Sequence, residues 1–367
     1  MKYLAAAALL SVGCIAQVWA EGGSGNLRSA LSLLPAGVFT ATQPDFSRYL
    51  DLSLLADMHG GTLERGALMR AQTGRGLRPI DALVTAGSQE WSAKAGIDLA
   101  DLRFVAGTGQ PPQEVAIWGF ADAKKAASAF AALPGLGFDP LGGQPEILAN
   151  GEEGHVNLVN RDPASPWSGM LGQTSVVRLE GPAFLHGASH AAFAPVIGSA
   201  SIAESPTGQV LLAGLEAGPG GVVQALFFGP ALGLTSGIDP ALLLGKSPGE
   251  ARAALEEAMA NPAPGVPPYG GAALADLEGP DGPVMLLALA YPDCTIAETA
   301  ARQAADLWPQ SARGSVQGTA EPSHVEAGEA GCAAVISVPG GAENGQFTRA
   351  FSAMMQQDLA PIRIGLE

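Results

Sequence analysis

The sequence predicts an α+β protein made of two related strand–helix–hairpin modules. Three observations predict this class. Glu114–Asn160 reads as an apolar strand, a helix and a hairpin, and Val284–Val338 repeats that order more faintly. Asn261–Gly271 (NPAPGVPPYGG), with four prolines and three glycines, reads as the connector that parts the chain. The expected organisation is therefore a signal peptide over 1–20, an N-terminal module with a helical extension over 21–260, a connector over 261–271 and a C-terminal module over 272–367. The two copies read as an internal duplication, with a topology compatible with a ferredoxin-like arrangement.

Each element follows from a local pattern. Met1-Lys2, an apolar run from Tyr3 to Val18 and the small-residue end Val18-Trp19-Ala20 form a three-part secretory signal cut after Ala20. Ser11-Val12-Gly13-Cys14 offers a rival, lipid attachment at Cys14, which would tether the protein to a membrane. No later run is long and apolar enough to cross a bilayer. Thr42–Ala56 predicts a helix, with Thr42 as cap and Phe46, Tyr49, Leu50, Leu54 and Leu55 as its stripe. Leu102–Ala106 predicts a strand. Val115–Phe120 (VAIWGF) is apolar on both alternating faces, the mark of a strand covered on both sides.

Asp122 can cap the helix that follows, in which Ala123, Ala126, Ala127, Phe130 and Leu133 share a face. Ile147–Ala149 and Val156–Val159 then flank Asn150-Gly151 as a hairpin. Thr174–Leu179, Ala183–Leu185 and Val222–Phe228 predict further strands, and Ser189–Ile197 a helix interrupted by Pro195. Ser247-Pro248-Gly249-Glu250 and Thr295-Ile296-Ala297-Glu298 are capping boxes. His324–Val338 predicts a hairpin, and Phe347, Phe351, Met354, Met355 and Leu359 a terminal amphipathic helix.

Charge and cysteine usage narrow the function. A net charge of −16 argues against nucleic acid and against anionic lipid as principal partners. Leu27–Arg103 holds eight basic and eight acidic residues, whereas Glu204–Glu367 holds six basic and eighteen acidic. The basic cluster Arg65, Arg70, Arg75 and Arg78 thus stands out, and the C-terminal part suits a basic partner. Cys294 and Cys332, an even pair in an exported chain, predict one disulfide.

Catalytic signatures are sparse. His186 and His190 have the i, i+4 spacing of a metal pair, but Ser189 caps better than it continues a helix, and no third ligand lies nearby. Histidines at 59, 155, 186, 190 and 324 have no local setting that marks a base, and no phosphate loop occurs. No catalytic residue and no cofactor is assigned. The expectation is a non-catalytic exported protein, periplasmic or tethered, that binds an envelope protein or complex. Arg65, Arg70, Arg75, Arg78 and Trp167, a tryptophan in a loop, are its interface candidates. A small-ligand or metal-binding periplasmic protein is the alternative, and a hydrolase with a site assembled only in the fold is the second.

Overall fold

The structure is a computed structural model that describes residues 24–159, 161–236, 245–260 and 264–365. The expected signal peptide and Cys14 lie outside the described residues. The chain is mixed α/β with twelve strands among the described residues, and the ladders between named strands run antiparallel. It divides into two compact units. The first comprises the residues up to Gly37, Asp45–Glu204 and Gly220–Leu226; the second comprises Val38–Pro44, Ser205–Pro219 and the chain from Phe227 onward. The division therefore does not fall at 261–271. Residues 264–271 belong to the second unit, where Tyr269 Oη donates to the Ile362 carbonyl at 3.0 Å and Val266 bridges Ile364.

In the first unit the strands are β1 (Phe46–Asp51), β2 (Leu102–Thr108), β3 (Val115–Phe120), β4 (Asp139–Leu141), β5 (Gln144–Ala149), β6 (Val176–Glu180) and β7 (Ala183–Gly187). They lie in the order β1-β2-β3-β7-β6-β5-β4. All six residues of β3 are buried, as its two apolar faces require. Trp118 is its centre, 5.6 Å from Trp91 and 6.4 Å from Phe184 between ring centroids. A Cβ on Gly119 would stand 2.1 Å from Cε1 of Phe104, so glycine is what lets that ring lie across the strand. Short helices Leu52–Met58, Arg65–Arg70, Arg78–Ala86 and Ser88–Ala95 supply Leu55, Leu68, Leu83 and Trp91 to the same core.

Two local expectations fail here for identifiable reasons. The stretch expected as a helix over Thr42–Ala56 is strand β1 first, paired with β2 from Ser47↔Thr108 to Asp51↔Phe104. Helix begins only at Leu52, because the Asp51 carboxylate accepts from Leu54 N at 2.8 Å and caps it. The first hairpin is β4–β5, not 147–159. Its turn is Gly142-Gly143, both at positive φ (58° and 77°), which two-residue hairpin loops demand. Asn150 instead turns its Oδ1 to the Ser175 amide at 2.7 Å.

Strand β8 (Gly221–Phe228) is buried along its whole length. The second unit carries β9 (Ala272–Gly279), β10 (Gly282–Tyr291), β11 (Glu321–Glu326) and β12 (Cys332–Pro339), in the order β9-β10-β12-β11. Helix Pro206–Glu216 packs on it closely, since a Cβ on Gly214 would lie 2.9 Å from Ala333 Cβ. The cap of helix Cys294–Leu307 is Asp293, which accepts from Thr295 N and Ile296 N, so the expected Thr295 box does not form. Glu298 pairs with Arg302 at 2.7 Å instead. The box at Ser247 does form, with Ser247 Oγ donating to Glu250 at 2.7 Å. Cys294 and Cys332 form a disulfide between the start of that helix and β12. No helix among the described residues is long and apolar enough to cross a membrane.

Candidate functional site

Among its described residues, the connection 150–175 between β5 and β6 forms no helix or strand of its own. A structureless connection of that length is uncommon in a compact unit and is usually functional. Trp167 anchors this one. Its ring stacks on Trp118 with centroids 4.8 Å apart and planes 11° from parallel, and its Nε1–H donates to the Ala95 carbonyl at 3.3 Å. Asp162 adds a second tie, 2.7 Å from Lys94 Nζ. The Lys94 ammonium in turn holds the Asp162 carboxyl below its usual range.

Beneath the anchor lies a small polar cluster. Ser175 Oγ–H donates to the Trp167 carbonyl, and His186 Nε2 is 2.7 Å from the same Oγ. With the hydroxyl proton committed to Trp167, His186 must donate through Nε2–H, which leaves Nδ1 as the lone-pair nitrogen. Nδ1 is buried and has no hydrogen-bond partner among the described residues. Burial, and then the positive charge of Arg78, holds the imidazole well below its usual pKa. Arg78 Nη1 donates to the Trp167 and Thr174 carbonyls and to Ser175 Oγ, at 3.3–3.4 Å.

A serine–histidine hydrolase needs an accessible Oγ and an imidazole oriented by a carboxylate. Here His186 is 2% exposed and Ser175 is fully buried, and no carboxylate among the described residues meets Nδ1. The geometry is that of a fastener for the loop.

Above the anchor the loop turns apolar side chains outward. Val156, Leu158, Val159, Met170 and Leu171 are large hydrophobics on its outer side, and Val159 is 91% exposed. Val156 bridges Gln173, and the Asn157 amide donates to the Gly172 carbonyl at 2.9 Å, so the two runs lie side by side as a ledge. Met170 and Leu171 also form one wall of a hollow of about 120 Å³, whose other walls include Arg78, Asp81, Pro112 and Glu114. Burial raises the carboxyl pKa of both Asp81 and Glu114 despite nearby arginines. Burial likewise lowers Arg78, to about 10, despite the charge of Glu114.

The residues singled out from sequence fall in several places. Arg65 and Arg75 are exposed, Arg70 is buried, and Arg78 is tucked under the loop, so the four do not form one basic face. Arg70 offers its carbonyl to Gln224 Nε2 at 2.5 Å. Trp167 is 5% exposed and belongs to the core, so a surface-anchor role does not fit its position. His186 and His190 are not on one helical face: His186 lies on β7, and His190 opens a short 3-10 turn. The His190 ring meets Glu153 at 2.8 Å. No group of three metal-ligating side chains occurs among the described residues. The apolar run from Val156 to Val159 is the sequence signal for the ledge, and it reads as a strand; the Asp81–Glu114 hollow has no local signal in the sequence. Compared with known families, with curated proteins and with solved structures, the chain matches none.

Proposed function

We propose that this chain is an exported envelope protein that works by binding another protein, and that the ledge Val156, Leu158, Val159, Met170 and Leu171 is its contact face. One observation carries the reading: a long loop with no helix or strand among its described residues is pinned by a buried tryptophan yet turns five large apolar side chains to solvent. Such side chains in one place mark an interaction surface, whereas single ones are ordinary. Export is supported by the pattern of the first twenty residues and by the disulfide.

A likeness between the two strand orders, read as an internal duplication, is part of this proposal. The strand orders β2-β3-β7-β6 and β9-β10-β12-β11 correspond, each with a helix after its second strand. In the second unit residues 308–320 bridge helix to strand, whereas the first unit inserts hairpin β4–β5 and the anchored loop at that point. A shared frame with one elaborated copy points to the elaboration as the working part. A small-ligand reading keeps one observation of its own, a groove of about 480 Å³ in the first unit floored by Leu52, Leu63, Leu99 and Leu102.

Affinity capture from envelope extracts tests the proposal. The wild-type protein should retain a defined partner that Leu158→Asp and Val159→Asp lose, while Arg75→Glu alters its salt dependence. Equal recovery with the wild type and both ledge variants would contradict it.

A further inference from the structure

Three tryptophans pack together beneath the loop, and their indole N–H groups do not fare alike. Trp91 Nε1–H donates to the Pro79 carbonyl at 2.8 Å, and Trp167 Nε1–H to the Ala95 carbonyl. Trp118, wholly buried at the centre of β3, has no acceptor for its N–H among the described residues. His186 Nδ1 is the second buried polar atom of this cluster in that position. Buried polar groups are nearly always paired, so two orphans in adjoining rings call for a common explanation.

The two rings meet edge to face, with centroids 5.5 Å apart and planes 78° from parallel. They stand on one face of the sheet, because Ala116↔His186 and Trp118↔Phe184 are ladder partners and side chains alternate. The indole offers a proton. The imidazole offers a lone pair, since its Nε2–H is committed to Ser175 Oγ. Burial and the Arg78 charge keep the ring neutral, so Nδ1 stays an acceptor. Yet the two atoms make no hydrogen bond to each other.

What joins them must accept from one and donate to the other. A cation meets the indole proton and the Arg78 charge, and a carboxylate meets the Nδ1 lone pair; neither satisfies both. Trp167 closes the junction, its ring 5.4 Å from His186 and 4.8 Å from Trp118 between centroids. With Trp118, His186 and Trp167 at 0%, 2% and 5% exposure, the spot is shut off from bulk solvent. Two hydrogen bonds of about 2.9 Å through one oxygen reach up to about 5.8 Å, which spans the ring separation. Buried waters ordinarily bridge polar groups of this kind.

We infer that one internal water molecule sits at the junction of Trp118, His186 and Trp167, accepting from Trp118 Nε1–H and donating to His186 Nδ1. A single line of hydrogen bonds then runs from the Trp118 indole through water, His186 and Ser175 to the Trp167 carbonyl. Every donor in it points the same way, the arrangement in which successive bonds strengthen one another. The line fixes the tautomer of His186 and fastens the loop to β3 as well as to β7. It holds whatever the ledge binds.

A wild-type crystal structure at a resolution that shows ordered water, with NMR of the same protein, tests the inference. The density should hold an oxygen within about 3.2 Å of both Trp118 Nε1 and His186 Nδ1. In solution the ring-nitrogen shifts of His186 should identify the Nε2–H tautomer. The Trp118 indole proton should show cross-relaxation with a long-lived water. A direct bond from Trp118 Nε1–H to Nδ1, no oxygen at the junction, or a proton on Nδ1 would each overturn it. Trp118→Phe keeps a ring and removes the donor, so the oxygen should be lost; its retention at full occupancy would overturn the bridge. The wild-type measurements decide the matter even where that variant fails to fold.

Discussion

His186 Nε2 lies 2.7 Å from Ser175 Oγ, and the imidazole is held neutral by burial and by the nearby Arg78 charge. Because its folded-state pKa is depressed, the folded protein binds fewer protons than the unfolded chain below about pH 6.5. The contribution of His186 is thus complete above that value and declines as pH falls toward the folded-state pKa, by up to about 1.4 kcal/mol per pH unit. Urea midpoints at pH 7 and pH 5 check this. The wild type should lose more stability than His186→Gln over that interval, and carboxylates common to both proteins cancel in the difference.

Removing the loop anchor should be costly. Trp167→Ala deletes a buried, stacked ring and should destabilise by about 3–5 kcal/mol. Trp167→Phe keeps a ring in the stack and should cost less. Thermal unfolding gives the order, and limited proteolysis of Trp167→Ala should cut within 150–175 first.

Asp51 has four described donors: Leu54 N at 2.8 Å, Ser53 Oγ at 2.7 Å, Tyr49 Oη at 2.9 Å and Asn26 Nδ2 at 3.0 Å. Asp51→Ala removes a cap and strands a buried phenol, and should cost about 2–3 kcal/mol in chemical denaturation. Asp51→Asn keeps an acceptor oxygen and should recover part of that loss.

The Cys294–Cys332 bridge spans a sequence separation of 38. Chain-entropy reasoning assigns a loop of that size about 4 kcal/mol. Unfolding with and without a thiol reductant should differ by up to that amount, and thiol labelling should find both cysteines only after reduction.

Legibility in the sequence followed locality. β3, the Asp122 cap, the Ser247–Glu250 box and the cysteine pair were readable because each depends on neighbours a few residues away. β1 was not, since Phe46, Tyr49 and Leu50 satisfy a helical stripe equally well and only pairing with β2 decides the matter. Asp293 out-competed Thr295 because it accepts two amides at once. Trp167 looked like a surface residue because nothing in its own loop reveals that Trp118, 49 positions earlier in the chain, stacks against it. The His186–Ser175 contact and the ledge share that dependence on distant partners. Such contacts carry no local periodicity.

The ledge offers the most direct test of the central claim. Leu158→Asp and Val159→Asp change exposed side chains and should leave unfolding stability within about 0.5 kcal/mol of the wild type. Measured beside that control, partner recovery from envelope extracts should fall to background in both variants. Recovery of the same partner at wild-type levels by two folded ledge variants would contradict the account.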